Sequence, residues 1–271
     1  MDAPLEKRQI AWQPLTARGV ATFAYASWRR LLLVQLVCAL LNAATVFWFV
    51  HQAWFPVIER AINQLPAEGK IRSTRLDWRG DSPVGLAENP FLSLLVDLDH
   101  TGGARSPAHV QVEFGRADVK ILSLFGSLQI SYPTGWRVAF NRAELAPWWG
   151  AWAPPILAIT AGSLLLGLMG GWLLLATLYS VPAWLMGFFA NRDLSLSGSW
   201  RLCGAALMPG ALLLPAALLF YGLGLLDLVR LMAAAGAHLL LGWVYVVAGS
   251  LALPLGRTIP ATKHNPFKTD H

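Results

Sequence analysis

LLLVQLVCALLNAATVFWFV, residues 31–50, runs for 20 residues without a charge, and its polar side chains are Gln35, Asn42 and Thr45. At about 1.5 Å per residue, a helix of this length crosses a hydrocarbon core of roughly 30 Å. Trp28-Arg29-Arg30 stands directly before it, and Lys and Arg flanking a span are retained in the cytoplasm. Residues from His51 onward are therefore expected on the far side. A cleaved signal peptide does not fit, because about 30 residues come first and a signal's apolar region holds roughly 7–15.

The bulk composition agrees. Of 271 residues, 55% are hydrophobic and 13% charged, with 13 Trp, which places the chain with membrane proteins and not with soluble domains of this size. Cys38 and Cys203 both fall inside apolar runs. Neither a disulfide framework nor a cysteine metal site follows from two such residues.

Working outward toward the N-terminus, residues 1–15 read as a polar tail. Val20, Phe23, Ala24, Ser27 and Trp28 then recur at helical spacing. This suits a short amphipathic helix on the inner surface, or Tyr25 and Trp28 simply open the spanning helix as interfacial anchors. In the other direction, His51 to Phe55 form an aromatic exit. Pro56 can open a helical turn, Val57, Ile58, Ala61, Ile62 and Leu65 mark one face, and Pro66 closes it. Short apolar and β-branched runs follow at 71–78, 91–98, 109–114, 119–124, 128–132 and 136–140, separated by Gly, Pro, Asp and Ser. Val110, Val112 and Phe114 alternate with Gln111 and Glu113, as in a strand with one wet face. The region 51–150 is predicted to be a compact extracytoplasmic α+β domain, one helix against an antiparallel sheet.

Residues 151–190 carry no charge. One reading is a single helix from Trp152 to about Tyr179, with Pro182-Ala183-Trp184 turning along the inner surface. The other is two helices with a hairpin at Gly170-Gly171, which would put Arg192, Arg201, Arg257, Lys263 and Lys268 outside. The positive-inside bias favours the single helix. A third span follows at 200–221, kinked by Pro209 and Pro215, then an outer turn at 222–230 and a fourth span at 231–253. The fold class is membrane α-helical, with about four transmembrane helices and the α+β domain inserted after the first. Residues 1–30 form the inner tail, 151–255 the helical domain and 256–271 the inner tail that ends the chain.

Charge tests this map. Lys and Arg at 7, 8, 18, 29, 30, 192, 201, 257, 263 and 268 oppose acids at 2, 6, 193 and 270, so the whole net charge of +6 lies inside. The remaining eleven basic and eleven acidic residues cancel outside. A nucleic-acid partner needs a basic stripe on one folded surface, and the neutral outer domain speaks against one. The lipid bilayer is the expected environment, and the expected location is the bacterial inner membrane with both termini cytoplasmic.

Candidate functional residues are Asp97, Asp99, His100, Asp227, Arg230 and His238. On a strand, Asp97 and Asp99 would share a face and could hold a cation with His100 or His109; alternatively the strand simply ends in acidic turn residues before Thr101-Gly102-Gly103. Asp227 and Arg230 can pair at three-residue spacing near the outer interface. His238 lies two turns deeper and, with Gln35 and Asn42, suits an interhelical hydrogen bond. Gly167 and Gly171 form a G-x-x-x-G spacing that lets helix backbones approach, within the chain in preference to between copies. G-x-S-x-G, Walker, H-E-x-x-H and dinucleotide motifs are absent, so no catalytic, cofactor-binding or metal residue is assigned and no cofactor is expected.

The layout resembles a class of uncharacterised bacterial membrane proteins with one N-terminal helix, an extracytoplasmic domain and a Yip-type helical C-terminal half. The resemblance is carried by residues 62–66 leading into 71–78, by Val96-Asp97-Leu98-Asp99-His100-Thr101-Gly102, and by Trp200-Arg201 followed by Pro209 and Pro215. A Yip-type half would bring the helix count to five, one more than is read here. The resemblance implies topology and no catalytic residue. The expected function is a non-enzymatic accessory or binding component that presents its periplasmic domain to an envelope partner. The alternatives are a small transporter or lipid-handling protein with a site near Pro209, Pro215 and His238, and a metal-dependent enzyme at Asp97, Asp99 and His109.

Overall fold

Thr16 caps the first helix: its hydroxyl accepts the Gly19 N–H at 3.0 Å at the start of α1 (Ala17–Thr22). A computed structural model describes residues 13–256; the inner-tail charges at 2, 6, 7, 8, 257, 263, 268 and 270 lie outside the described residues. A 3₁₀ turn, Phe23–Tyr25, separates α1 from α2 (Trp28–Phe49). The stretch thus folds as a short helix, a turn that holds Tyr25, and a long apolar helix that opens on Trp28. Four helices are long and apolar enough to cross a membrane: Trp28–Gln64, Arg142–Phe189, Leu196–Gly222 and Leu228–Leu251. A sheet region lies between the first and the second. The chain forms two compact units, and both draw on all four long helices.

Among the described residues, the first unit comprises 13–38, 168–212 and 236–256. Val20, Phe23 and Ala24, the apolar face read as membrane-facing, are buried instead in a core with Leu31, Leu202, Cys203, Val246 and Leu253. Arg201 donates to the Ala24 carbonyl at 2.8 Å and Gln35 to the Gly204 carbonyl at 3.4 Å. Gly204 and Gly249 let these elements meet, since a Cβ there would lie 3.0 Å from Leu31 Cδ2 and 2.9 Å from Val20 Cγ1.

The charge-free stretch after 151 is one helix. It belongs to a single 48-residue helix, Arg142–Phe189, roughly 70 Å long at 1.5 Å per residue. No hairpin forms at Gly170-Gly171, and Pro182 does not turn the chain. Proline is tolerated in spanning helices when neighbours supply hydrogen bonds. Close to Pro182, though not on the carbonyl that it frees, Trp200 Nε1 donates to Thr177 Oγ1 and Ser199 Oγ to the Ser180 carbonyl, both at 3.0 Å. The G-x-x-x-G expectation fails: among the described residues, no atom lies within 4 Å of a Cβ built on Gly167, Gly170 or Gly171.

The second unit comprises Ala39–Gly167 and Leu213–Ala235. α2 passes through a π turn, Val50–Trp54, into α3 (Phe55–Gln64) without a break. Asn89 secures the widened turn: its amide donates to the Ala53 carbonyl at 2.5 Å, while its oxygen accepts the Phe91 and Leu92 N–H groups at 2.9 Å each. Asn89→Ala strips the oxygen that accepts two bonds and the amide that donates a third, so a loss of about 2 kcal/mol is expected in unfolding of the purified protein. Asn89→Asp keeps the acceptors and should lose roughly half of that.

The strands are β1 (Gly69–Arg72), β2 (Arg75–Trp78), β3 (Val84–Glu88), β4 (Leu92–Val96), β5 (Val110–Phe114), β6 (Asp118–Ser123), β7 (Gly126–Ser131) and β8 (Arg137–Ala139). They make two sheets, ordered β2-β1-β8 and β3-β4-β5-β6-β7, in place of the single antiparallel sheet expected. β4 and β5 run parallel. β4, LSLLV, is buried at every position but one, as central strands with both faces covered should be. The run read as one strand at 71–78 is a hairpin. Ser73 and Thr74 adopt φ of 51° and 66°, a two-residue turn of the type I′ kind that twists with its strands. Ala61 of α3 and Leu65, its C-cap residue, join a core with Ile71, Leu76, Leu86, Val96, Tyr132 and Phe140. Arg142–Phe189 is α4, and α5 (Leu196–Ala206), α6 (Met208–Gly222) and α7 (Leu228–Leu251) complete the chain.

Candidate functional site

β4 ends at Val96, and the chain must travel back across the sheet before β5 can begin parallel to it. That crossover decides the fate of the candidate acids. Asp97 is 1% exposed; its Oδ2 accepts the Thr101 hydroxyl at 3.0 Å and the Gly102 N–H at 3.1 Å. Burial alone would raise the Asp97 pKa, but donors from Thr101, Gly102 and Asp99 outweigh it and hold the carboxyl below its usual value. Asp99 is exposed and pairs with Arg116 at 3.3 Å. The two acids therefore do not share a strand face, because the strand has ended and Asp97 has turned inward to bind its own loop. His109 goes elsewhere again, its Nδ1 2.5 Å from Tyr221 Oη, in an aromatic cluster with Phe49 and Phe91. Among the described residues no three His, Cys, Asp or Glu side chains converge as a metal-binding set.

His100 is the residue the fold singles out. It sits at φ 50°, and each ring nitrogen meets a carboxylate: Nδ1 lies 3.0 Å from Glu113 Oε2 and Nε2 lies 2.6 Å from Asp118 Oδ1. The array continues at both ends. Gln111 donates to Glu113 at 2.7 Å and accepts the Ser106 N–H at 2.8 Å, while Gln129 donates to Asp118 at 2.6 Å. The wet face predicted for β5 is thus the covered one: Gln111 is 6% and Glu113 3% exposed. The crossover lies over these polar side chains and satisfies them, which is the condition for burying them at all. Gly115 leaves room for the ring, since a Cβ there would collide with His100 Nε2.

Burial alone would lower the His100 pKa, but hydrogen bonds and charge from Asp118 and Glu113 outweigh it and raise it above the usual value. With a carboxylate at each nitrogen, the protonated ring can donate to both. Its proton is held, and the arrangement clamps the crossover to β5 and β6 more than it prepares a base. Beside it lies a cleft of about 700 Å³, whose walls include Arg105, Lys120, Leu124 and Val229.

Asp227 and Arg230 pair as expected, at 3.5 Å and exposed. Asp227 also accepts the Arg230 N–H at 2.7 Å, capping α7. His238 lies inside α7, where its carbonyl borders Gly210 of α6. Sequence reading missed Glu113 and Asp118 as partners of His100. They stand 13 and 18 residues away, and only the parallel pairing of β4 with β5 brings them together.

Compared with family models, curated proteins and solved structures, the chain matches none of them.

Proposed function

We propose that this is an inner-membrane protein with both termini cytoplasmic, a non-enzymatic accessory component that presents its sheet domain to a protein partner in the envelope. Four candidate spans and a net charge of +6 that falls wholly to one side of them support the orientation, and the same layout is what the Yip-type resemblance implies. Binding is favoured over catalysis because His100, Glu113 and Asp118 spend their hydrogen bonds on one another.

The observation that carries the partner is β7. It is the edge of the five-stranded sheet, all six of its residues are exposed, and residues 121–136 contain no charge. Leu128 and Ile130 are 58% and 48% exposed there. Natural edge strands are normally protected by charge, proline or cover, and an open one can accept a partner's strand. A photo-crosslinking residue at Leu128 in cells should yield one discrete protein adduct. Ile130→Lys should abolish it, and a probe at Asp81 should not form it. Equal labelling at both positions, or lipid products alone, would sink the proposal.

A lipid-handling role draws on the cleft of about 700 Å³, where Arg105 and Lys120 stand with Leu122, Leu124 and Val229, a lining suited to an amphiphile. Of the site expected near Pro209, Pro215 and His238, the part at Gly210 is closed by the His238 carbonyl.

A further inference from the structure

The turn at Ser73-Thr74 sets Arg72 directly opposite Arg75, and on its other side Arg72 pairs with Arg137 of β8. Residues opposite one another across antiparallel strands share a face. The buried face here is Ile71 and Leu76, so the three arginines form a row on the opposite, exposed face, with strands about 4.8 Å apart. Like charges in register are unfavourable, yet among the described residues none of the three has an ion pair. Two carboxylates of the same cleft are paired with other bases: Asp77 with Lys70 at 3.8 Å, and Glu68 with Arg79. Arg72 and Arg137 line a cleft of about 550 Å³ whose walls also carry Lys70 and Arg79 and the carboxylates Glu68, Asp77 and Glu144; Arg75 stands outside that lining.

We propose that the Arg72–Arg75–Arg137 row and this cleft form a binding site for a phosphate-bearing ligand. Each guanidinium offers a planar fork that matches phosphate oxygens bidentately. Three forks in one row suit a group with three terminal oxygens better than a carboxylate with two. The ligand also relieves the repulsion that the strand register imposes. The phosphate can belong to a soluble metabolite or to a lipid headgroup, and the experiment separates these sources.

Full-length protein in phosphatidylcholine nanodiscs is titrated calorimetrically with glycerol phosphate. In parallel, the nanodiscs are floated with phosphatidylglycerol vesicles and with phosphatidylcholine vesicles. Saturable glycerol phosphate binding that weakens with salt indicates a soluble ligand. Co-flotation with phosphatidylglycerol vesicles only indicates a headgroup. In either case the triple variant Arg72→Gln, Arg75→Gln, Arg137→Gln should bind about tenfold more weakly or worse. Replacing all three by Lys should leave an intermediate affinity, because charge remains without the fork. Should the triple variant fail to fold, Arg137→Gln, which lies outside the hairpin, must show a loss on its own. No response to either probe, binding unchanged in the Gln variants, or equal binding of citrate at matched ionic strength would overturn the proposal.

Discussion

His100→Ala should destabilise the sheet domain by about 3 kcal/mol, since removing one partner from a buried ion pair leaves the other charge uncompensated. Glu113, 3% exposed, and Asp118 would then face each other without the imidazolium between them. Hydrogen exchange of peptides covering 97–120 in the full-length protein reads this locally. The wild type carries a linked pH signature. The His100 pKa is raised in the folded state, so its contribution is full below the ordinary imidazole value and is lost as pH rises through the raised one. For Asp118 burial opposes ionisation, but Gln129 and His100 outweigh it and lower the pKa. That contribution is full above the ordinary carboxylate value and is lost as pH falls through the lowered one. Protection over 97–120 should therefore be greater at about pH 6 than at about pH 9, and His100→Ala should flatten that difference. Equal protection of wild type and variant at both pH values would refute the clamp.

Gly210→Val should cost about 3 kcal/mol, at the upper end for overpacking a filled interior. A Cβ at Gly210 lies 2.5 Å from the His238 carbonyl oxygen and 3.2 Å from its carbon. Both obstacles are backbone, so the helices must separate to admit the side chain. Gly167→Val is the matched control, because nothing lies within 4 Å of its Cβ. Unfolding in detergent should show a clearly lowered midpoint for the first variant and little change for the second. Equal shifts would mean that helix propensity and not the α6–α7 approach dominates.

The long apolar helices were legible because a charge-free run of this length has few alternatives to a helix that can cross a bilayer. The existence of a sheet region was legible too, from turn residues at short intervals. What sequence patterning misjudged was the direction of faces. Gln111 and Glu113 alternate with apolar residues like solvent-facing positions, yet a crossover covers them, and no local pattern announces a cover built from residues 97–109. Ser73 and Thr74 hid the first hairpin because neither is the Gly or Asn usual at positive φ. Val84–Glu88 escaped notice because Gly85 sits at its bulge and weakens the strand signal. Among the candidates, Asp97, Asp99, His100, Asp227 and Arg230 all received defined partners, but Asp97 and Asp99 did not come together. The arginine row was invisible for a further reason: the charges of residues 51–150 cancel in sum, and only strand register reveals that three of one sign are lined up.

The pairing of β1 with β8 also sets an order of events during synthesis. Lys70 must wait for Ala139 and Arg72 for Arg137, so the first strand made in this sheet stays half-paired until the last has emerged. Until then β1 and β2 are a lone hairpin, which is marginal in water. The domain therefore closes like a purse, at its mouth and late, just as the chain begins α4. Ribosomes that stall before Arg137 would leave an open seam of unpaired strand for quality-control proteases to find.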